Sequence, residues 1–532
     1  MESIAKLKQK HAQAIAAKDQ AITKMQDQVT KQQGWIVQLE DHIKYLQSQR
    51  YLRSSEKHLV ADNQPSLFDE ALDLPVEETV APEQEVIEGY TRTKTDSKRG
   101  RKPLPSYLPR ERIEYTLPES ALFGPNGEQF IKIGEAISEQ LEIIPADLKV
   151  IQHVRFKYAC PSREELGVKI APLPLKVIEK GIATPGLLSH VLVSKFCYHL
   201  PLYRQEQIWN DLEVNLPRNT LSSWVLACGD KLKPLIELMQ ADMMLHGHIH
   251  VDETPVTVLA EKGKDKKNKP DKLQGPPPPG SKQSYMWVYV GGTLEQRAVI
   301  YDYQISRAGV HARNFLDEFK GYVQADAFAG YDKLFALEDK VEVGCWAHAR
   351  RKFAEILKGH KSKDSKTVYA IKVIGALYAI EADAKERQLK PEQIKLLRQE
   401  KALPILTKFK SWLEDLLPGT PPKGMLGKAI GYTLSNFTAL MRYCEDGRLC
   451  IDNNPAENAI RPFAVGRKNW MFCGNDRGAE AAAVIYSLIE TAKLHGLRPF
   501  DYLKIVLAEI PYANTPKKLE QLLPYYLKQR QK

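Results

Sequence analysis

Apolar residues recur every seven positions near the start of the chain. Ile15, Ile22, Val29, Ile36 and Ile43 mark one seam, and Met25, Leu39 and Leu46 mark another. Spaced as positions a and d of a heptad, they predict a coiled coil within residues 1–58, imperfect where Lys18 and Gln32 stand at d. A helix from Ile4 to Arg50 would run about 70 Å at 1.5 Å per residue. That is too long for a helix without a packing partner; the alternative is a solvated arm rich in Gln, Lys and Ala. The rhythm then stops. Residues 62–88 carry nine acidic residues, no Lys or Arg, and Pro65, Pro75 and Pro82, the composition of a flexible linker. A basic run from Arg92 to Arg112 follows, either tracking phosphates or neutralising the acidic stretch, so 59–112 reads as linker throughout.

From 113 to 180, short apolar segments such as VIQHVRFKYAC predict a small β-rich module. The period then becomes helical over 181–245: GLLSHVLVSKFCYH, PLYRQEQIWNDLE, a turn VNLPR, and a third helix beginning near Asn219 or Thr220. Asn219 is the expected cap of that helix, and Leu221, Trp224, Val225 and Cys228 form its apolar face. Three helices with a tight turn before the last suit a helix-turn-helix-like DNA-binding domain or a helical connector. Residues 246–490 alternate differently. HGHIHVDETPVTVLA, YMWVYVG and RAVIYDYQI are strand candidates, the first two separated by a basic Pro/Gly-rich loop. A helix through HARNFLDEF, the strand YVQADAF, the segment VEVGCW and the helical AHARRKFAEI complete the order of an α/β ribonuclease-H-like domain. Residues 355–445 read as a helical insertion into it, and 491–532 as a helical extension. The expected fold is therefore multidomain: coiled coil, β-rich module, helical domain, and an α/β catalytic domain with an insertion.

Composition adds direction. Lys and Arg number 76 against 66 Asp and Glu, a formal charge of +10 that favours a polyanionic partner. No stretch approaches the roughly 20 apolar residues of a membrane span, and MESIAKLKQK has no apolar signal core, so a cytoplasmic, DNA-associated protein is expected. The seven cysteines, at 160, 197, 228, 345, 444, 450 and 473, form neither a disulfide framework nor a CxxC site. Reduced thiols follow.

Two carboxylates interrupt predicted strands: Asp252 in the first and Asp326 in a later, central one. A carboxylate in a half-buried strand costs several kcal/mol unless it is paired or binds a cation; a strand-end position facing water is the alternative. Glu457 lies in NNPAEN, where Asn454, Pro455 and Glu457 fit N-cap, N1 and N3. It either closes a capping box or is held over the sheet by a rigid helix start. Converging carboxylates are what a two-metal phosphoryl-transfer centre needs, and their hard oxygen donors suit Mg2+, with Mn2+ acceptable. Arg461, Arg467 and Lys468 lie on the same stretch and can meet phosphate, or pair with local acids; Arg218 stands before the third helix of the helical domain. The strand also offers His246, His248, His250 and Asp252 on one face, as in a zinc hydrolase. A noncatalytic DNA-binding assembly protein is a further alternative.

The chain resembles DDE transposases of insertion-sequence family sixty-six. The resemblance is carried by RYLRSSEK at 50–57, IGEAISEQL at 133–141, HVLVSKFCYHLPLYRQEQIW at 190–209, HVDETPV at 250–256, VQADAFAGYDKL at 323–334, CWAHARRKF at 345–353 and NNPAENAIRPFAVGRKNW at 453–470. It implies catalytic, metal-holding roles for Asp252, Asp326 and Glu457. It further implies cleavage at the double-stranded ends of a mobile element and transfer of a 3′-hydroxyl into target DNA. A homo-oligomer helped by small element-encoded proteins is expected, with no membrane partner. One departure stands out. The family commonly carries a cysteine-rich zinc-finger-like module after the linker, whereas this chain supplies only Cys160 there, so no structural zinc is expected. Cys345 and His348 in CWAH also match the family pattern, but two potential ligands do not close a zinc site.

Overall fold

The computed structural model describes residues 172–259, 280–357 and 366–530 without a break. Before these it describes 148–159, 168–170, two short strands at 86–91, and a helical stretch at 18–26 with scattered neighbours up to Ile36. Residues 69–173 form one compact unit; 1–68 and 174–532 form the other.

In the smaller unit Val86–Ile87 pairs antiparallel with Tyr90–Thr91, inside the stretch read as linker. Lys157–Ala159 pairs antiparallel with Val168–Ile170, the described part of the predicted β-rich module. Of the heptad seam, Ile15, Ile22, Met25, Val29 and Ile36 are exposed. Its remaining apolar positions, Leu39, Ile43 and Leu46, lie outside the described residues, as does most of the basic Pro/Gly-rich loop.

Three helices open the larger unit: α1 (Pro185–Phe196), α2 (Leu202–Asp211) and α3 (Arg218–Met244). Thr184 caps α1 by accepting the Leu187 N–H at 3.2 Å. The third helix starts at Arg218 rather than at Asn219 or Thr220, with Pro217 in the cap position and no side-chain cap. Glu206 on α2 accepts the Arg218 N–H at 2.8 Å, which satisfies one otherwise orphaned donor of the helix's first turn.

A five-stranded sheet follows: β1 (His248–Leu259), β2 (Ser281–Gly291), β3 (Ala298–Gln304), β4 (Gly321–Gln324) and β5 (Lys340–Val343). Its order is β3-β2-β1-β4-β5, with β1, β2 and β3 an antiparallel meander and β1, β4 and β5 parallel. Between β3 and β4 runs α4 (Val310–Phe315), and between β4 and β5 run a 3-10 turn (Ala329–Tyr331) and α5 (Asp332–Phe335). After β5 come α6 (Trp346–Leu357) and the predicted insertion, which is helical: α7 (Lys366–Glu386), α8 (Pro391–Leu397), α9 (Leu403–Leu416), α10 (Met425–Ser435) and α11 (Phe437–Met441). The chain returns through α12 (Asn454–Trp470) and α13 (Asp476–Leu494). It ends in α14 (Pro499–Glu509), α15 (Pro516–Glu520) and α16 (Pro524–Arg530).

Strand β2 is buried on both faces from Ser284 to Gly291, because each face has its own cover. Trp287 and Tyr289 meet the α4 and α5 side, where Tyr289 stacks on Phe315 with ring centroids 3.6 Å apart and Trp287 meets Tyr331 edge-on. The opposite face carries Tyr301, which contacts Phe463 of α12 and Tyr486 of α13. The outer edge of β3 has no strand partner, and α13 supplies one in side-chain form. Ser487 Oγ accepts the Tyr301 N–H at 2.8 Å; Thr491 Oγ1 accepts the Val299 N–H at 3.0 Å and donates to its carbonyl at 3.1 Å. These hydroxyls occupy backbone groups that would otherwise template edge pairing. Helix α13 also lies close to α3: a Cβ on Gly229 would come within 2.6 Å of the Ala481 Cβ. The insertion builds a second core, in which Trp346, Phe353, Leu377, Phe409 and Phe437 are buried together.

Candidate active site

Parallel pairing of β1 with β4 covers only three registers and ends at His250 opposite Gln324. Two residues further along each chain stand Asp252 and Asp326, which the register thus leaves level with one another where the strands part. Asp326 lies beyond β4, not inside it as its sequence context suggested, since strand pairing stops at Gln324. Asp252 remains in β1, held to β2 opposite Val288, and its Oδ1 accepts the Glu253 N–H at 2.9 Å. The parting also explains Pro255: on its β4 side no strand asks for the missing N–H.

Glu457 arrives on α12. That helix begins at Asn454, one residue earlier than the capping pattern required, so Pro455 is its second residue and Glu457 its fourth. No capping box forms, because the residue in the cap position, Asn453, uses its side chain elsewhere. Its Oδ1 pairs with His250 Nδ1 at 3.1 Å, its Nδ2 donates to the Val251 carbonyl at 2.8 Å, and its backbone N–H donates to Cys345 Sγ at 3.2 Å. Asn453 therefore pins the start of α12 to β1 and to the entrance of α6. Gln324 adds a second stitch, donating to the carbonyls of Gly344 and Cys450.

Electrostatics report how near the acidic groups are. Burial pushes the Asp252 carboxyl well above its ordinary range, and Glu253, Asp326 and Glu457 push it further. Asp326 is pushed up to about 6 by burial and by Glu253, with Arg307 acting against the shift and Glu457 adding to it. This is the signature of carboxylates crowded without sufficient positive charge. Glu253, which sequence reasoning passed over, is nearly sealed from water, its side chain 1% exposed. Strand alternation sends it to the other sheet face from Asp252. There the Arg307 Nε and Nη2 both reach its Oε1 at 2.7 Å, and Tyr331 donates to its Oε2 at 2.7 Å. Arg307 also stacks on Phe328, 3.8 Å from the ring centre. The clamp links β1 to the loop that carries Asp326. Its only sequence signal was a second acidic residue beside Asp252.

The predicted phosphate contacts divide. Arg218 and Lys468 are exposed, while Arg461 is half-buried. Arg467 is turned inward: its Nη1 donates to Thr254 Oγ1 at 3.1 Å and to the Pro255 carbonyl. Burial lowers the Arg467 pKa. From the sequence it is expected, with Lys468, to meet phosphate or pair with local acids; the helix instead turns it against β1.

Among the described residues, the donors that bring three potential metal-ligand atoms within 4.8 Å of one another are Cys345, His348 and Glu457. Asp252, Asp326 and Glu457 do not together make so tight a set among the described residues. The histidines of β1 do not form one either. His250 is buried and committed to Asn453, which disfavours the zinc-hydrolase alternative.

A mixed sheet of this order, with acidic groups at parting strand ends and a helical insertion before the last of them, defines a multidomain α/β enzyme scaffold. Comparison with known proteins carries this to a family. Residues 180–481 match the Transposase IS66 family and 487–525 the IS66 C-terminal element. Residues 38–113 match the family described as Transposase C of IS166 homeodomain, and 127–162 the zinc-finger binding domain of transposase IS66. The uncharacterized protein y4jD of Sinorhizobium fredii is 33% identical over 437 residues, 79% of this chain and 81% of that one. Uncharacterized protein y4hP of the same organism is 31% identical over 490 residues, 85% of this chain and 83% of that one. Among solved structures, the crystal structure of the Mos1 strand transfer complex matches 52% of this chain and 79% of that chain at 13% identity, with a TM-score of 0.12. The chain belongs to the IS66 transposase family, and it is a DDE-type DNA transposase. No helix among its described residues is long and apolar enough to cross a membrane.

Proposed function

We propose that Asp252, Asp326 and Glu457 are the catalytic carboxylates of this transposase and hold Mg2+ for cleavage at the element ends and for strand transfer. The observation that carries this reading is the strand register, which leaves Asp252 and Asp326 level where β1 and β4 part, with Glu457 of α12 near enough to add to the upward shift of both carboxyls. All their donors are hard oxygens, the set Mg2+ takes, and the upward shifts of Asp252 and Asp326 mark sites where a dication would favour the charged form. A pair of ions asks each for ligands from some of the carboxylates, not all three for one ion. When bound, the metal supplies Lewis-acid polarisation of the phosphodiester and of the attacking oxygen.

The chain's own residues do the rest. Asn453 fixes where α12 starts, and so the height of Glu457 over the sheet. The Arg307–Glu253–Tyr331 clamp sets the approach of β1 to the Asp326 loop. Lys468 and Arg461 can hold phosphate beside the carboxylates, and Arg218 can position the third helix of a helix-turn-helix-like unit on the DNA backbone. The heptad seam makes the chain a homo-oligomer, with the element's two DNA ends and the target as its nucleic-acid partners.

The test separates binding from chemistry. D252N, D326N and E457Q preserve shape but each removes a ligand charge. Each should lower end cleavage and strand transfer by more than about 100-fold in Mg2+ while retaining fold and DNA binding. Wild-type rates in any correctly folded variant would remove that residue from the active site.

A further inference from the structure

Cys345, His348 and Glu457 make a second arrangement that the carboxylate chemistry does not require. Cys345 immediately precedes α6, His348 lies in its first turn, and Glu457 reaches them from α12. The Cys345 thiol is buried and its Sγ accepts two backbone N–H groups, those of Asn453 at 3.2 Å and of His348. These two N–H groups orient the sulfur, while burial, with Asp452 and Glu457 adding to it, pushes the thiol up, so that a metal has to displace its proton. His348 Nδ1 and Glu457 Oε1 stand 3.6 Å apart. Both atoms are buried, and neither has a hydrogen-bond partner. Orphaned buried polar atoms are rare and call for an explanation, an absent ion among them. The other carboxylate oxygen, Oε2, has Arg351 at 3.6 Å, which leaves Oε1 to face the histidine.

We propose that Cys345, His348 and Glu457 form a binding site for one thiophilic divalent cation, Zn2+ or its spectroscopic substitute Co2+, with a fourth coordination position open. Tetrahedral coordination at ordinary Zn–S, Zn–N and Zn–O lengths puts ligand atoms about 3.3–3.6 Å apart. The His348–Glu457 pair already has that separation, and one ligand atom from each of the three residues lies within 4.8 Å of the other two. Sulfur, imidazole and one carboxylate select a softer ion than an all-oxygen centre does. Binding replaces the thiol proton with the metal and releases that proton to solvent. Sequence spacing offered only the first two ligands; the fold supplies the third from more than a hundred residues away. Glu457 then belongs to both arrangements, so a thiophilic ion here draws on the carboxylate proposed for Mg2+. The binding claim itself holds whether or not Glu457 is catalytic.

The experiment titrates the full-length, chelator-stripped protein with Co2+ in Mg2+-free buffer. The expected result is one Co2+ per chain, with a thiolate-to-cobalt charge-transfer band and the visible bands of tetrahedral Co2+. Zn2+ should displace it, and Mg2+ should not. C345S should lose the charge-transfer band. H348A, altered at a partly exposed side chain and checked by circular dichroism, should lower Co2+ affinity by more than about 100-fold, beyond the usual effect of altering a ligand's supporting partner. No charge-transfer band in the wild type, or an equal band in C345S, would overturn the site. So would unchanged affinity in folded H348A. Because the readout is the cobalt spectrum, a failure here leaves the Mg2+-dependent cleavage of D252N, D326N and E457Q to be judged separately.

Discussion

Asp326 shows how one residue couples charge, stability and metal binding. Its carboxyl is pushed up to about 6 in the ion-free fold, against an ordinary value of 3.8. A carboxyl whose folded value is raised stabilises the fold fully below the unfolded value and loses that contribution as pH rises through the folded one. The ion-free protein therefore gives up about 3 kcal/mol between roughly pH 4 and pH 6 through this group, to order of magnitude. A cation bound among the carboxylates reverses the penalty only where they are ionised. Mg2+ is thus expected to raise the unfolding temperature at about pH 7.5, with the gain fading toward about pH 5. Thermal unfolding with and without Mg2+ at both pH values measures this, with D326N as the control in which the gain shrinks. The same Mg2+ shift at both pH values would show that the ion acts elsewhere.

At the scale of elements, the carboxylates are placed by three segments that meet only in the fold. The Glu253 clamp joins two of them, and its side chain is nearly sealed from water. Removing one partner of a buried pair leaves an uncompensated charge, a cost of about 3–5 kcal/mol. R307A is accordingly expected to lower unfolding stability by that order in denaturant titrations. R307K keeps the charge but not the fork that reaches Oε1 twice, and should recover part of the loss. A purely structural role would end there. If the clamp positions Asp252 against Asp326, folded R307K should also need several-fold more Mg2+ for half-maximal end cleavage, with DNA affinity unchanged. An unaltered Mg2+ requirement would reduce the clamp to a packing feature. The α12 start teaches a related lesson: NNPAEN predicted a helix correctly but misplaced its first turn by one residue, because Asn453 had better tertiary partners than a local cap.

For the whole molecule, the heptads at the N-terminus make a prediction independent of the active site. Burying Ile and Leu seams against another copy is favourable, so a chain lacking residues 1–50 should sediment as a smaller species than the full-length protein at matched concentration. Monomeric masses for both would remove the zipper. What the amino-acid order determined by itself is what depends on local period and local chemistry. Alternation marked β1 to β3, helical spacing marked α1 to α3, and the blocks around Asp252, Asp326 and Glu457 carried the family. Local patterns also placed the helical insertion between the second and third of these residues. The tertiary structure alone decided which side chains face one another. Glu253 and Arg307 meet because strand register and a returning loop bring them together. Arg467, read as a DNA contact, is bonded to β1 because α12 packs along that strand. Cys345 and His348 looked like two ligands short of a site until α12 brought Glu457 to them. Sequence spacing constrains neighbours within a turn or a strand; long-range contacts depend on how whole elements pack, and no local pattern encodes that distance.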